Sequence, residues 1–126
     1  MLEHITPIPM LAVKDVARAR RFYKDTLGLH EDRDGMEGIL QFRAGDTAFV
    51  VYPSEYAGTN QATALTWVVG DRLEKVIEAL KAKGVAFEHY ELPDTVRKGE
   101  IHESGPVRNA WFKDPDGNIH ALSSVG

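Results

Sequence analysis

The sequence contains no cysteine. That excludes disulfides, Cys-ligated zinc, iron–sulfur clusters and thiol nucleophiles together, and it suits a reducing compartment, so a cytoplasmic protein is expected. A basic block is also missing. Fifteen Lys+Arg stand against nineteen Asp+Glu, a formal net charge of −4, and a nucleic-acid partner is not expected. The apolar runs, such as Phe49–Tyr52 and Leu65–Val69, are far too short to span a bilayer. The opening Met1-Leu2-Glu3-His4-Ile5 lacks the basic and apolar regions of a signal peptide, so no membrane partner is expected either. No Gly-x-Gly-x-x-Gly, Walker or Gly-x-Ser-x-Gly pattern occurs, which leaves nucleotide and serine-hydrolase readings without support. Asp114-x-Asp116-Gly117-Asn118 and Asp32-x-Asp34-Gly35 invite a calcium reading, but an EF-hand loop needs Glu eleven residues after its first Asp. Those positions hold Val125 and Arg43, and both segments read as turns. What is present is an ordinary globular balance: 126 residues, 43% hydrophobic and 27% charged. A chain of this size is expected to form one domain and to bury roughly two-thirds of its unfolded surface.

The chain also repeats itself. Val13-Lys14-Asp15 recurs as Val69-Gly70-Asp71, and Gly28 recurs as Gly84, both at an offset of 56. Between each Asp and Gly the pattern is helical. Val16, Ala19, Phe22, Tyr23 and Leu27 share one face in the first copy, and Leu73, Val76, Ile77 and Leu80 in the second. Asp15 and Asp71 are expected N-caps, with Glu74 completing a capping box. Extended runs precede the helices at Ile8–Val13 and Ala64–Val69. Further strands are expected at Leu29–Arg33, Gly38–Arg43 and Thr47–Tyr52, and at Val85–Tyr90, Val107–Lys113 and Ile119–Ser123. Asp34-Gly35, Gly45-Asp46 and Asp114-Pro115-Asp116-Gly117-Asn118 are turn signals. The order is βαβββ twice, over modules of about 1–58 and 59–126. Gly45 and Gly117 are 72 apart rather than 56, so the second copy carries 16 more residues. Most of them fall in Leu92–Gly105, which reads as a long polar loop, and loops of that length are usually functional or mobile.

Val13-Lys14-Asp15 and Arg21-Phe22-Tyr23-Lys24-Asp25-Thr26-Leu27-Gly28-Leu29, with Trp111-Phe112-Lys113-Asp114-Pro115-Asp116-Gly117-Asn118, carry a resemblance over nearly the whole chain. They resemble the opening and closing motifs of the glyoxalase/bleomycin-resistance/dioxygenase (vicinal oxygen chelate) superfamily. The segment Tyr52–Ala64 is similar to a bacterial branch of it. The resemblance implies an α+β fold in which two βαβββ modules pair curved mixed sheets around a cavity, and in many members a homodimer. It also implies four inward-facing positions that supply His and Glu ligands in metal-dependent members. Here they fall at Ile8, Ala64 and Ala121, with the fourth at Phe49 or Val50, and none of these side chains can bind a cation. No metal and no cofactor are assigned.

The remaining candidates follow from strand parity. Leu65, Trp67 and Val69 should pack on the helices with Pro9, Leu11 and Val13. Ile8, Met10 and Ala12, with Ala64, Thr66 and Val68, then take the other face. Together with Ala121 and the aromatics Phe42, Tyr52 and Trp111 they would line an apolar cavity suited to a flat or hydrophobic small molecule. His120 should lie on the helix side with Leu122, as a hydrogen-bonded or partly exposed histidine. His89 and Glu91 read as exposed strand residues. His102-Glu103 reads as a solvated pair, with an acid or base near neutral pH as the alternative. Three functions stay open: a metal-independent small-molecule-binding protein, a metal-free isomerase or lyase using His102, Glu103 or Tyr52, and a structural module.

Overall fold

The computed structural model describes residues 1–32 and 37–126. The expected Asp34-Gly35 turn and Arg33 lie outside them. The chain divides into two compact units, Met1–Gly58 and Thr59–Gly126.

In the first unit β1 (Met10–Val13) leads into α1 (Val16–Arg20), which continues as a π-helical stretch over Arg21–Thr26. Asp15 caps the start: its Oδ1 accepts from the Arg18 N–H at 3.0 Å. In the widened turn the Leu27 N–H reaches the Phe22 carbonyl at 2.9 Å. Three strands follow, β2 (His30–Asp32), β3 (Leu40–Ala44) and β4 (Thr47–Pro53). The sheet order is β1-β4-β3-β2, with β1 parallel to β4 and the rest antiparallel. Tyr23 is fully buried and meets Phe42 at 5.5 Å and Phe49 at 5.7 Å, so the core lies between the helical stretch and one sheet face.

The second unit repeats this order and adds to it. β5 (Thr63–Val68) passes through a 3-10 turn to α2 (Leu73–Ala82), which buries Leu73, Ile77 and Leu80. The expected capping box does not form. The Glu74 carboxylate is taken by Arg108 in a two-pronged contact at 3.2 and 2.8 Å, a charge-assisted pair that outcompetes a single backbone N–H. β6 is only Phe87–Glu88, shorter than the expected run. Next come β7 (Val96–Lys98), β8 (Ile101–Ser104), β9 (Val107–Lys113) and β10 (Ile119–Ser123). β5 is parallel to β10, as β1 is to β4, and β9 holds β10 on one edge and both β8 and β6 on the other.

The expected long loop at 92–105 is therefore largely a hairpin. Lys98 pairs with Ile101 across Gly99-Glu100, and Gly99 has φ +62, the left-handed first position that a tight two-residue hairpin requires. Ser104 pairs with Val107 across Gly105-Pro106 in the same way. The turn after β9 is held by Asp114, whose Oδ1 accepts from the N–H groups of Asp116 and Asn118, at 2.9 and 2.8 Å. Among the described residues, no helix is long and apolar enough to cross a membrane.

Candidate functional site

In the first unit Phe49 and Val51 are buried toward the helical stretch, so Ala48, Val50 and Tyr52 occupy the opposite face of β4. Parallel pairing sets Met10 beside Val50 and Ala12 beside Tyr52. Ile8 and Met10 are 56% and 54% exposed. Phe42 does not belong with them. It pairs with Phe49, is fully buried, and packs on Tyr23, so it is a core residue beneath the helix. Its aromatic character suggested a cavity wall, but its parity on β3, shared with buried Leu40, decides otherwise. The far end of the open face is polar: Asp32 accepts from Arg43 at 2.9 Å and Gln41 at 3.2 Å.

In the second unit Arg108 reaches Glu74 of α2, which fixes Arg108, Ala110 and Phe112 on the helix side of β9. Asn109 and Trp111 face the other way, and His102, paired with Asn109, faces with them. Ala121 lies beside Thr66 and Trp111 on that face. Ala64 lies opposite the register shift between Ile119 and His120. Near this end of the sheet a pocket of about 220 Å³ is walled by Tyr90, Leu92, Trp111 and Ile119. Gln61, Ala62 and Thr63 form the remainder of its lining. Tyr90 and Trp111 meet edge to face at 5.4 Å, making an aromatic corner. The Trp111 indole N–H donates to the Thr63 hydroxyl at 3.2 Å, so that hydroxyl keeps its own proton to offer. Burial, then the charge of Glu88, pushes the Tyr90 phenol above its ordinary value. It stays a donor, and its Oη meets no hydrogen-bond partner among the described residues.

His102 is not a solvated residue, as its sequence setting suggested. It is 2% exposed. The Gly99 and Gly105 turns convert the supposed loop into β8, and alternation then points Ile101 and Glu103 one way and His102 the other. Glu103 sits on the helix side, paired with Lys98 at 3.2 Å and Arg108 at 3.5 Å. His102 and Glu103 are therefore not brought together, and Tyr52 belongs to the first unit. His89 and Glu91 are exposed, as expected, but lie beyond the end of β6, and the His89 Nε2 meets the Glu100 carboxylate at 2.6 Å, a bond that holds the Glu100 carboxyl below its usual range.

His120 is a satisfied core histidine. It is fully buried, stacks on Phe112 at 5.0 Å, and accepts from the Trp67 indole at 3.0 Å through Nδ1. Burial pushes its pKa down to about 4, against a smaller upward pull from Asp114.

The donor chemistry at the positions implied for metal ligands does not fit a cation. Ile8, Ala64 and Ala121 are hydrocarbon, and among the described residues no three His, Cys, Asp or Glu side chains converge.

Known proteins with this fold place the chain. The fosfomycin resistance protein FosX of Listeria monocytogenes, in a structure with Mn(II) and sulfate ion, superposes with a TM-score of 0.71 at 16% identity, over 100% of this chain and 93% of that one. FosX of Mesorhizobium loti gives 0.68 at 16% identity, covering 100% and 94%. An integron cassette protein from the mobile metagenome of V. cholerae gives 0.64 at 20% identity, covering 98% of each chain. At these identities the likeness is one of fold. Residues 2–122 match the sequence pattern of one family, and the chain belongs to it: the Glyoxalase/Bleomycin resistance protein/Dioxygenase superfamily.

Proposed function

We propose that the protein binds a small, planar, largely apolar molecule in the Tyr90–Trp111 pocket and does so without a metal. The pocket itself carries the reading: an aromatic corner closed by two aliphatic side chains, with few polar groups to fix orientation. At about 220 Å³ it is smaller than the usual drug-sized site, which selects a one- or two-ring ligand. The Thr63 hydroxyl favours a ligand with one hydrogen-bond acceptor. Metal independence rests on the hydrocarbon at Ile8, Ala64 and Ala121, the positions the family resemblance implies for metal ligands. Thr66 and Ala121 on the open face of the second unit and, separately, Ile8, Met10 and Tyr52 on that of the first remain candidate ligand-contacting residues. A metal-free isomerase or lyase is less well supported, because His102 and Glu103 point to opposite sides of β8.

A two-ring molecule that buries roughly 250 Å² of apolar surface gains about 6 kcal/mol at 25 cal/mol per Å². That gain alone corresponds to a Kd of about 40 μM, so after immobilisation costs Kd should lie between hundreds of micromolar and the millimolar range (~0.1–10 mM). Aromatic ligands should therefore raise the melting temperature of EDTA-treated protein by mass action. Ala62→Phe, at an exposed position, should fill the pocket and abolish the shift with little cost in stability. A diverse aromatic library that gives no shift ends the binding reading, and about one tightly held Zn, Ni, Fe or Mn per chain ends its metal-free part.

We also propose a C2 homodimer. β1 and β5 are edge strands, and Ile8, Met10 and Val68 expose large apolar side chains beside or on them. Light scattering at micromolar concentration should return twice the 14.0 kDa chain mass, and a monomer mass would refute the dimer.

A further inference from the structure

His102 does not line the pocket, yet it touches both of its aromatic walls. Its ring stands edge to face against Trp111 at 4.9 Å and lies 6.1 Å from the Tyr90 ring. Its Nε2 accepts the Tyr90 backbone N–H at 3.0 Å. That bond replaces a missing ladder contact: β6 stops at Glu88, whose partner is Trp111, so the sheet offers Tyr90 no strand partner. One buried imidazole thus holds the segment that carries Tyr90 and Leu92 at a fixed distance from Trp111.

An Nε2 that accepts is unprotonated, so the proton of the neutral ring is on Nδ1. Nδ1 is buried and reaches no hydrogen-bond partner of ordinary geometry among the described residues. If Nε2 gains a proton, it faces the Tyr90 N–H donor to donor and the clamp is lost. We infer that His102 is a positioning residue whose uncharged form assembles the Tyr90–Trp111 pocket, so that ligand uptake by this protein is switched off by acid. The inference rests on the pocket reading above and adds its regulation.

The surroundings agree in sign. Burial holds His102 below the ordinary histidine value of 6.5. The backbones of Asn109 and Glu100 pull the other way, less than burial does, and the smaller contributions of His89, at 6.5 Å, and of Arg97, its register partner on β7, again disfavour the charged ring. From β9 only Asn109 and Trp111 face it, and the Glu100 carboxylate is engaged by His89. The Tyr90 phenol is the other titratable group beside it, and it remains protonated across the same range. Acid therefore acts below the ordinary histidine pKa, where the displaced state takes up a proton more readily than the clamped one.

1-Naphthol is a suitable probe because its own charge does not change in this range. Its binding is measured by calorimetry at pH 7.5 and pH 5.0, with far-UV circular dichroism confirming that the protein stays folded. The native protein should bind about tenfold more weakly at pH 5.0. His102→Gln, which keeps an acceptor but cannot titrate, should lose the pH dependence, its own affinities at the two pH values differing by less than about twofold whatever their level. By reciprocity, 1-naphthol should lower the titration midpoint of the His102 Cε1–H resonance in the native protein, a measurement that needs no variant. No binding at pH 7.5 overturns the pocket reading and this inference with it. Binding that is the same at both pH values, or an unmoved His102 midpoint, overturns this inference alone.

Discussion

Replacing Asp114 with alanine is expected to destabilise the protein by about 3 kcal/mol. The carboxylate is 4% exposed and organises the whole β9–β10 turn. Besides the two backbone N–H groups on Oδ1, its Oδ2 accepts the Asn118 side-chain amide at 2.9 Å. Removing it leaves three buried or partly buried donors facing each other without an acceptor, and the desolvation cost of each falls on the folded state. Bonds to a charged acceptor are worth more than neutral ones, and three of them in one network do not add independently, which sets the size of the estimate. Asp114→Asn keeps the shape but can present an amide N–H to the turn's own donors, so a loss between wild type and alanine is expected. Urea unfolding with an unchanged m-value reads the effect directly. A change below about 1 kcal/mol for the alanine variant would show that the turn is held by other means.

Acid should weaken the fold through His120. Its folded pKa is lowered from 6.5 to about 4, so the unfolded chain takes up a proton first. The contribution is complete above the unfolded value, declines as pH falls through 6.5, and is spent once pH reaches the folded value near 4. At about 1.4 kcal/mol per pKa unit the full loss is about 3 kcal/mol. His102, shifted in the same direction, steepens the slope. His120→Gln should flatten most of it, with lower stability at neutral pH because the stack on Phe112 is gone. Denaturation midpoints that stay level from pH 7 to 4.5 in the native protein would contradict the burial of this histidine.

Much of the fold was legible because the repeat is carried by local chemistry. Asp15 caps its helix, the strands Val107–Lys113 and Ile119–Ser123 stand as their alternation indicates, and His120 turns inward with Leu122 because strand parity leaves it no other face. The misses have physical reasons too. The Leu92–Gly105 segment looks like a loop because its composition is polar, but the Gly99-Glu100 and Gly105-Pro106 pairs set hairpin geometry, and period-two alternation around Ile101 then buries His102. Reading those two glycines as hairpin turns would have revealed it. Glu74 left its expected cap for Arg108, 34 residues away, a long-range partner no local rule registers. Phe42 was assigned by residue type where its register with Phe49 governs. Tyr90 gave no signal at all in the sequence: its place beside Trp111 depends on the short β6 pairing with the middle of β9.

The central claim is that a planar molecule enters the Tyr90–Trp111 corner without a metal. The protein has two tryptophans, and they report on opposite sides of the second sheet: Trp111 walls the pocket, while Trp67 is bonded to His120 on the other side. Their indole N–H signals in a ¹⁵N-labelled, EDTA-stripped sample therefore form an internal comparison. Titration with 1-naphthol at pH 7.5 should move the Trp111 signal saturably and leave that of Trp67 in place, and Ala62→Phe should abolish the movement. Signals that stay put until a divalent cation is added, or a response at Trp67 without one at Trp111, would contradict the account.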